Sequence, residues 1–184
     1  AMMKVSLDKK RQEALTNVTP TQIYLGRQLL FWLIGLFQSG LICLGDLYFL
    51  EIQCKHPFYF LLAGWFTSIV FVNMIYTLTV SFGDIGKAIC VVLLVIQVAG
   101  SGGTFPIEMT PMFFQKLYVL LPFTHSMMAM RECIAGFYEN TYWVELGNLC
   151  WYLAASLLLG LVLRKPIIRL NDAFNEKLEE TKVI

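Results

Sequence analysis

The sequence predicts an all-α integral membrane protein: four transmembrane helices, with an extracytoplasmic re-entrant helical hairpin between the third and fourth spans. Three observations predict it. Of 184 residues, 57% are hydrophobic and only 15% charged, and the mean hydropathy is +0.63, outside the range of a soluble globular chain. The charges bunch at residues 4–13 and 164–182, leaving long stretches nearly free of them. Four of those stretches approach the roughly 20 apolar residues that ~30 Å of hydrocarbon requires at 1.5 Å per residue. Backbone groups in hydrocarbon must be paired within their own segment, and no alternating pattern suggests a barrel, so helices are what remains.

The elements follow in chain order. Residues 1–22 read as a cytoplasmic segment carrying a coupling or interfacial helix. Within it Thr19-Pro20-Thr21-Gln22 has the form of a capping box with proline at the first helical position, so a helix starts there and leads into the membrane. A transmembrane domain is expected over 23–163. Its first span, about 24–49, has a charge-free centre between Arg27 and Asp46, and its second, 57–82, carries no formal charge at all. The third, about 86–104, starts beside Lys87, and the fourth, about 143–163, is uncharged from Leu146 until Arg164.

Between the third and fourth spans the apolar pattern is too broken for a crossing. Residues 100–111 are rich in glycine and proline, and the apolar run from Met112 to Met130 is interrupted by Lys116, Pro122 and His125. Pro111 can start a helix at Met112 and Pro122 can end it. A second short helix then runs from about Thr124 to Ala135 and stops at Gly136. Two short apolar helices around a proline describe a hairpin over 106–136, packed on protein because lipid would leave its broken backbone unpaired. The last segment, 164–184, places Ile167, Leu170, Phe174 and Leu178 at helical spacing, as in an amphipathic helix on the cytoplasmic membrane surface.

Orientation follows from Lys and Arg near the span ends. Lys4, Lys9, Lys10, Arg11 and Arg27, then Lys87, then Arg164, Lys165, Arg169, Lys177 and Lys182 fall on one side, leaving Lys55, Lys116 and Arg131 for the other. Both termini are therefore expected to be cytoplasmic.

The sequence offers little chemistry. It lacks the phosphate-cradling GxGxxG and Walker A patterns, the HExxH zinc pair and the GxSxG nucleophile elbow, so an enzyme is not expected. A net charge of +1 with scattered lysines gives no nucleic-acid footprint. Gln38, Asn73, Gln97 and Asn148 within the spans suit interhelical hydrogen bonds better than catalysis. His56 and His125 with Glu51 or Glu132 would be the material for a metal site, but they read more simply as interfacial histidines beside prolines, and no metal, cofactor or catalytic residue is assigned. Cys54 and Cys133 would need Cα atoms within about 7 Å to pair. Arg131 and Glu132 stand in an otherwise apolar hairpin, where snorkelling to the surface and a structural or pathway role are equally open. Trp32, Tyr48, Phe58, Tyr142 and Trp143 suit the aromatic belts.

The run from Ser101 to Gln115, SGGTFPIEMTPMFFQ, followed by the LLPFT of 120–124 and the MRECIAG of 130–136, resembles the C-terminal membrane region of the YhgE/Pip family, which belongs with the type-2 ABC export permeases. The likeness covers essentially the whole chain. It implies a permease-like bundle whose extracytoplasmic hairpin carries Ser101, Gly102, Gly103, Pro106, Glu108, Pro122, Arg131, Glu132 and Gly136. It implies too that a cytoplasmic segment with Lys9, Lys10, Arg11 and Glu13 meets a separate ABC ATPase. Family members begin with a span and a large ectodomain, so the resemblance implies that this chain is a C-terminal fragment. The function it implies is the membrane-embedded permease-type domain of a bacterial export or secretion system. The alternative is a structural anchor or phage-receptor base without transport. Besides the lipid bilayer, the expected partner is a second copy in a dimer or homo-oligomer, since Gly26, Gly35, Gly40, Gly45, Gly64, Gly147 and Gly160 offer sites of close helix approach.

Overall fold

α1 (Pro20–Tyr48) begins at the proline that suits a first helical position, where a missing N–H and a fixed φ cost nothing. The structure is a computed structural model and describes residues 20–103 and 106–163. The segment with Lys9, Lys10, Arg11 and Glu13, the cap at Thr19 and the tail from 164 onward lie outside the described residues. Every regular element among the described residues is helical.

α2 (Pro57–Gly100) also opens on proline, and it is broken at Gly83, whose φ of 60° and ψ of −128° no helix accommodates. The chain turns back on itself there. A β-carbon on Gly86 would run into the Leu78 carbonyl, eight residues back along the chain. The legs Pro57–Gly83 and Ile85–Gly100 therefore lie side by side in opposite directions. Two short helical pieces follow, a 3-10 turn at Ile107–Met109 and α3 (Met112–Leu117), which passes into a 3-10 turn at Tyr118–Leu120. α4 (Pro122–Ala135) and α5 (Thr141–Leu158) complete the chain, α5 running on into a π-helical turn at Leu159–Leu163.

Among the described residues three helices are long and apolar enough to cross a membrane: Tyr24–Tyr48 with 25 residues, Pro57–Gly83 with 27 and Thr141–Val162 with 22. The segment expected as a span at 86–104 is shorter. Its helix ends at Gly100 because Gly102 takes a left-handed φ of 67°, so it measures ~24 Å at 1.5 Å per residue against ~30 Å of hydrocarbon. The short helices expected on either side of Pro122 are present, with a shifted boundary. Pro122 closes the 3-10 turn and also opens α4, which starts there rather than at Thr124.

α1 packs along α2, and α4 is wedged between α2 and α5. Close approach of α1 to α2 depends on missing side chains. A β-carbon on Gly35 would press on Ser68 and Val72, one on Gly40 on Trp65, and one on Gly64 on Cys43. Gly26, Gly45 and Gly147, read from sequence as similar sites, face open space. The core at the α4 end joins Cys43, Phe60, Ala63, Ala129, Cys133, Tyr142 and Leu146. Outside, Leu29, Leu33, Phe37 and Leu41 of α1, Val91, Leu94 and Val95 of the short leg, and Trp151 and Leu158 of α5 are exposed. In water so much apolar surface would drive association, whereas hydrocarbon accepts it without cost.

Candidate functional site

Six of the residues singled out in the sequence, Ser101, Gly102, Gly103, Arg131, Glu132 and Gly136, lie at the two ends of the segment between the short leg and α5. Ser101 is buried and its hydroxyl receives the Gly103 N–H at 3.4 Å. The left-handed Gly102 turns its carbonyl toward α4, where Arg131 Nη2 donates to it at 2.8 Å. Gly103 lies against α4 too, since a β-carbon there would come 3.0 Å from the tip of Met127. The exposed Arg131 thus links the turn at Gly102 to α4.

Glu132 Oε2 accepts the Tyr138 N–H at 2.7 Å and so caps the turn beyond α4. Gly136 makes that turn at a φ of 108°, where side chains are strained, and its N–H closes on the Glu132 carbonyl at 2.9 Å. The Lys55 stem lies over Gly136. Next to it, the backbone N–H of His56 and the thiol of Cys54 both donate to the Cys133 carbonyl, at 3.1 and 3.2 Å. Cys54 and Cys133 are free thiols. Burial pushes the Cys133 thiol up to about 12, with neighbouring Cys54 and Glu132 adding to the effect.

Pro106 and Glu108 sit apart from these six and are exposed; the Pro106 carbonyl accepts the Met109 N–H at 3.0 Å and the Glu108 carbonyl accepts from Gln115 Nε2 at 3.3 Å. Pro122 is buried at the first turn of α4. From that turn α4 runs back along α2: Phe123 meets Phe71 with ring centroids 6.1 Å apart, Ser126 hydrogen-bonds Thr67 at 2.8 Å, and Cys133 reaches His56. The charges around Tyr118 act on its phenol. Burial raises its pKa, Arg131 lowers it, and Glu145 and Glu108 raise it further.

The two histidines do not meet. His56 stacks on Phe137 at 4.2 Å with the rings nearly parallel, whereas His125 contacts Glu145 at 2.5 Å and the Val119 carbonyl at 3.1 Å. Among the described residues no three His, Cys, Asp or Glu side chains gather as metal ligands.

A second cluster, foreseen only in Asn73 and in Gly160 as a site of close approach, is a polar seam through the interior. Tyr24 and Thr77 share a hydrogen bond at 2.8 Å. Gln28 donates to the Asn73 side-chain oxygen, and Asn73 donates to Ser156 at 2.5 Å, linking α1, α2 and α5. Tyr76 donates to the Tyr24 carbonyl at 3.0 Å. Gly160 leaves the room the Tyr24 hydroxyl occupies. Gln28 Oε1 is buried there without a hydrogen-bond partner. The i, i+4 pairs Tyr24/Gln28, Asn73/Thr77 and Ser156/Gly160 are the sequence signal for this seam, a polar stripe on otherwise apolar helices.

Residues 9–163 match the family model described as ABC-2 family transporter protein, which takes in every described helix and the segment from Ser101 to Gly136. The chain belongs to the ABC-2 transporter family. Within it, the chain is 28% identical over 145 residues to the "Uncharacterized protein YhgE" of Bacillus subtilis (strain 168), a likeness covering 79% of this chain. The match takes in 19% of that protein, so the chain spans about a fifth of its relative's length. No solved structure matches this ABC-2 chain at a significant level. The chain is thus similar to a YhgE-like ABC-2 permease domain, as the hairpin motifs led one to expect.

Proposed function

We propose that this chain is the membrane-embedded, permease-type domain of a bacterial export or secretion system, part of a larger YhgE-like protein and worked by a separate ABC ATPase. The observation that carries the proposal is the ABC-2 match over residues 9–163, with the chain's likeness to about a fifth of a much longer protein in support. In this reading the short leg Ile85–Gly100 is the third of four crossings, and the Ser101–Gly103 turn brings the chain into an extracytoplasmic re-entrant hairpin. Two facts favour it: the leg's apolar exposed face, and the course of α4 back along α2 from Cys133 to Phe123. The excess of Lys and Arg at the opposite ends of the helices favours cytoplasmic termini. The Arg131–Gly102 clasp and the Gly136 turn then close the outer side. Lys9, Lys10, Arg11 and Glu13 are the segment offered to the ATPase, and a second permease copy completes the assembly.

The test uses the full-length protein. Co-purified with a cognate ATPase in nanodiscs, it should stimulate ATP hydrolysis several-fold, and charge reversal at Lys9, Lys10 and Arg11 should abolish the stimulation. Failure both to form a complex and to stimulate would sink the permease reading. If an unrelated membrane anchor replaced the bundle with full retention of function, the domain would be an anchor instead.

A further inference from the structure

The imidazole of His125 is held from both sides. Its Nε2 lies 3.1 Å from the Val119 carbonyl and its Nδ1 lies 2.5 Å from Glu145 Oε2. Both partners accept hydrogen bonds, yet a neutral imidazole has a single N–H. Satisfying both contacts takes a second proton, held on Nδ1 or shared with the carboxyl group. A third group completes the arrangement: Asn148 Nδ2 stands 3.4 Å from the same Nδ1 and can donate to it when it is bare.

The three residues join two elements. His125 is on α4 next to the proline bend, whereas Glu145 and Asn148 are on α5. The pair is mostly enclosed, with side-chain exposures of 11% and 17%. From α5 the Tyr152 ring lies 5.9 Å from the imidazole, and its hydroxyl donates to the Leu120 carbonyl at 2.9 Å. From the 3-10 turn Tyr118 faces Glu145, with Arg131 of α4 and Glu108 also acting on it. α2 contributes the Thr67 hydroxyl, bonded to Ser126.

We infer that His125, Glu145 and Asn148 form a proton-dependent latch between the hairpin and α5. With the proton in place, the ring donates to the Val119 carbonyl and to Glu145 together, tying bend, α4 and α5 at one point. When the proton leaves for solvent by way of the partly exposed carboxylate, the ring keeps Nε2–H on Val119. Nδ1 then takes the Asn148 amide, and Glu145 is released. Such a pair of alternative partners is what a two-state element requires. The sign is fixed: the latch is closed at low pH and opens as pH rises.

The chain has two histidines, so a His56→Asn variant of the full chain in nanodiscs leaves one imidazole to observe by nitrogen-15 NMR. At mildly acidic pH both ring nitrogens of His125 should be protonated, and alkaline titration should convert the ring to the Nε2–H tautomer. Hydrogen exchange at the start of α4 should quicken together with it. Glu145→Gln should show the Nε2–H tautomer where the parent is still doubly protonated, and Asn148→Leu should keep the latch closed to higher pH. An Nδ1 that is bare throughout the titration overturns the latch, as does a tautomer unaffected by Glu145→Gln. If the variants misfold, the titration of the parent decides alone.

Discussion

Asn73 is completely buried, and its side-chain amide works at both ends, accepting from Gln28 and donating to Ser156. An amide in that position holds three helices at one rotational setting, which apolar contacts among leucines do not specify. Interhelical hydrogen bonds in membranes each contribute roughly 0.6–2 kcal/mol. Asn73→Leu, which keeps the number of side-chain heavy atoms and removes both bonds, should therefore cost about 1–3 kcal/mol. A thermal melt of the full chain in detergent would read this as a lowered transition, and an unchanged melt would show the seam to be dispensable. Asn73 was legible in the sequence as a helix-joining amide, but Tyr24, Gln28, Thr77 and Ser156 were not. The i, i+4 spacing marks a stripe on each helix, but a single sequence does not say which stripes on different helices face one another, so the partners could not be phased. Glu145 was missed for a related reason. A charge at the edge of an apolar run marks a boundary equally well whether it meets solvent or a histidine.

At the level of elements, prolines and glycines were the readable punctuation. Pro20, Pro57 and Pro111 precede or open helices, and Gly136 ends α4, each through a backbone property that needs no tertiary context. Pro122 was only half legible, because a proline that ends one turn is also well shaped to begin the next helix. The length of the short leg was not legible, since its end depends on a left-handed Gly102 held by Arg131 from a distant helix. Gly83 offers the sharpest test of an element. With φ at 60° and ψ at −128°, it occupies a region that side chains avoid at a cost of about 1–3 kcal/mol. Gly83→Ala should destabilise the helix pair by that amount, and limited proteolysis of the full chain should find the neighbourhood of residue 83 newly cleavable. An alanine variant as resistant as the parent would mean that the turn relaxes without strain.

For the whole molecule, three full-length helices and the all-helical class followed from composition and charge blocks, because the solvent requirement acts on entire segments rather than on single contacts. The proposed sidedness calls for a probe of its own. Cys133 is a poor one, being fully buried with its thiol pushed up to about 12, so it should resist maleimide in folded protein. Glu139 lies in the exposed turn between α4 and α5 at a φ of 47°. With Cys54 replaced by serine, Glu139→Cys in intact cells should react with a membrane-impermeant maleimide, and reaction only after the inner face is opened would invert the topology. The turn at Gly83 bears on mechanics as well as shape. Gly86 lies directly on Leu78, so the turn has no spare length, and an α-helix runs from Ile85 until it meets the Arg131 clasp. A push delivered at that turn has no slack to take up. It reaches the Arg131 clasp as the same displacement, so in the proposed four-crossing arrangement the short leg acts as a pushrod from one membrane face toward the other.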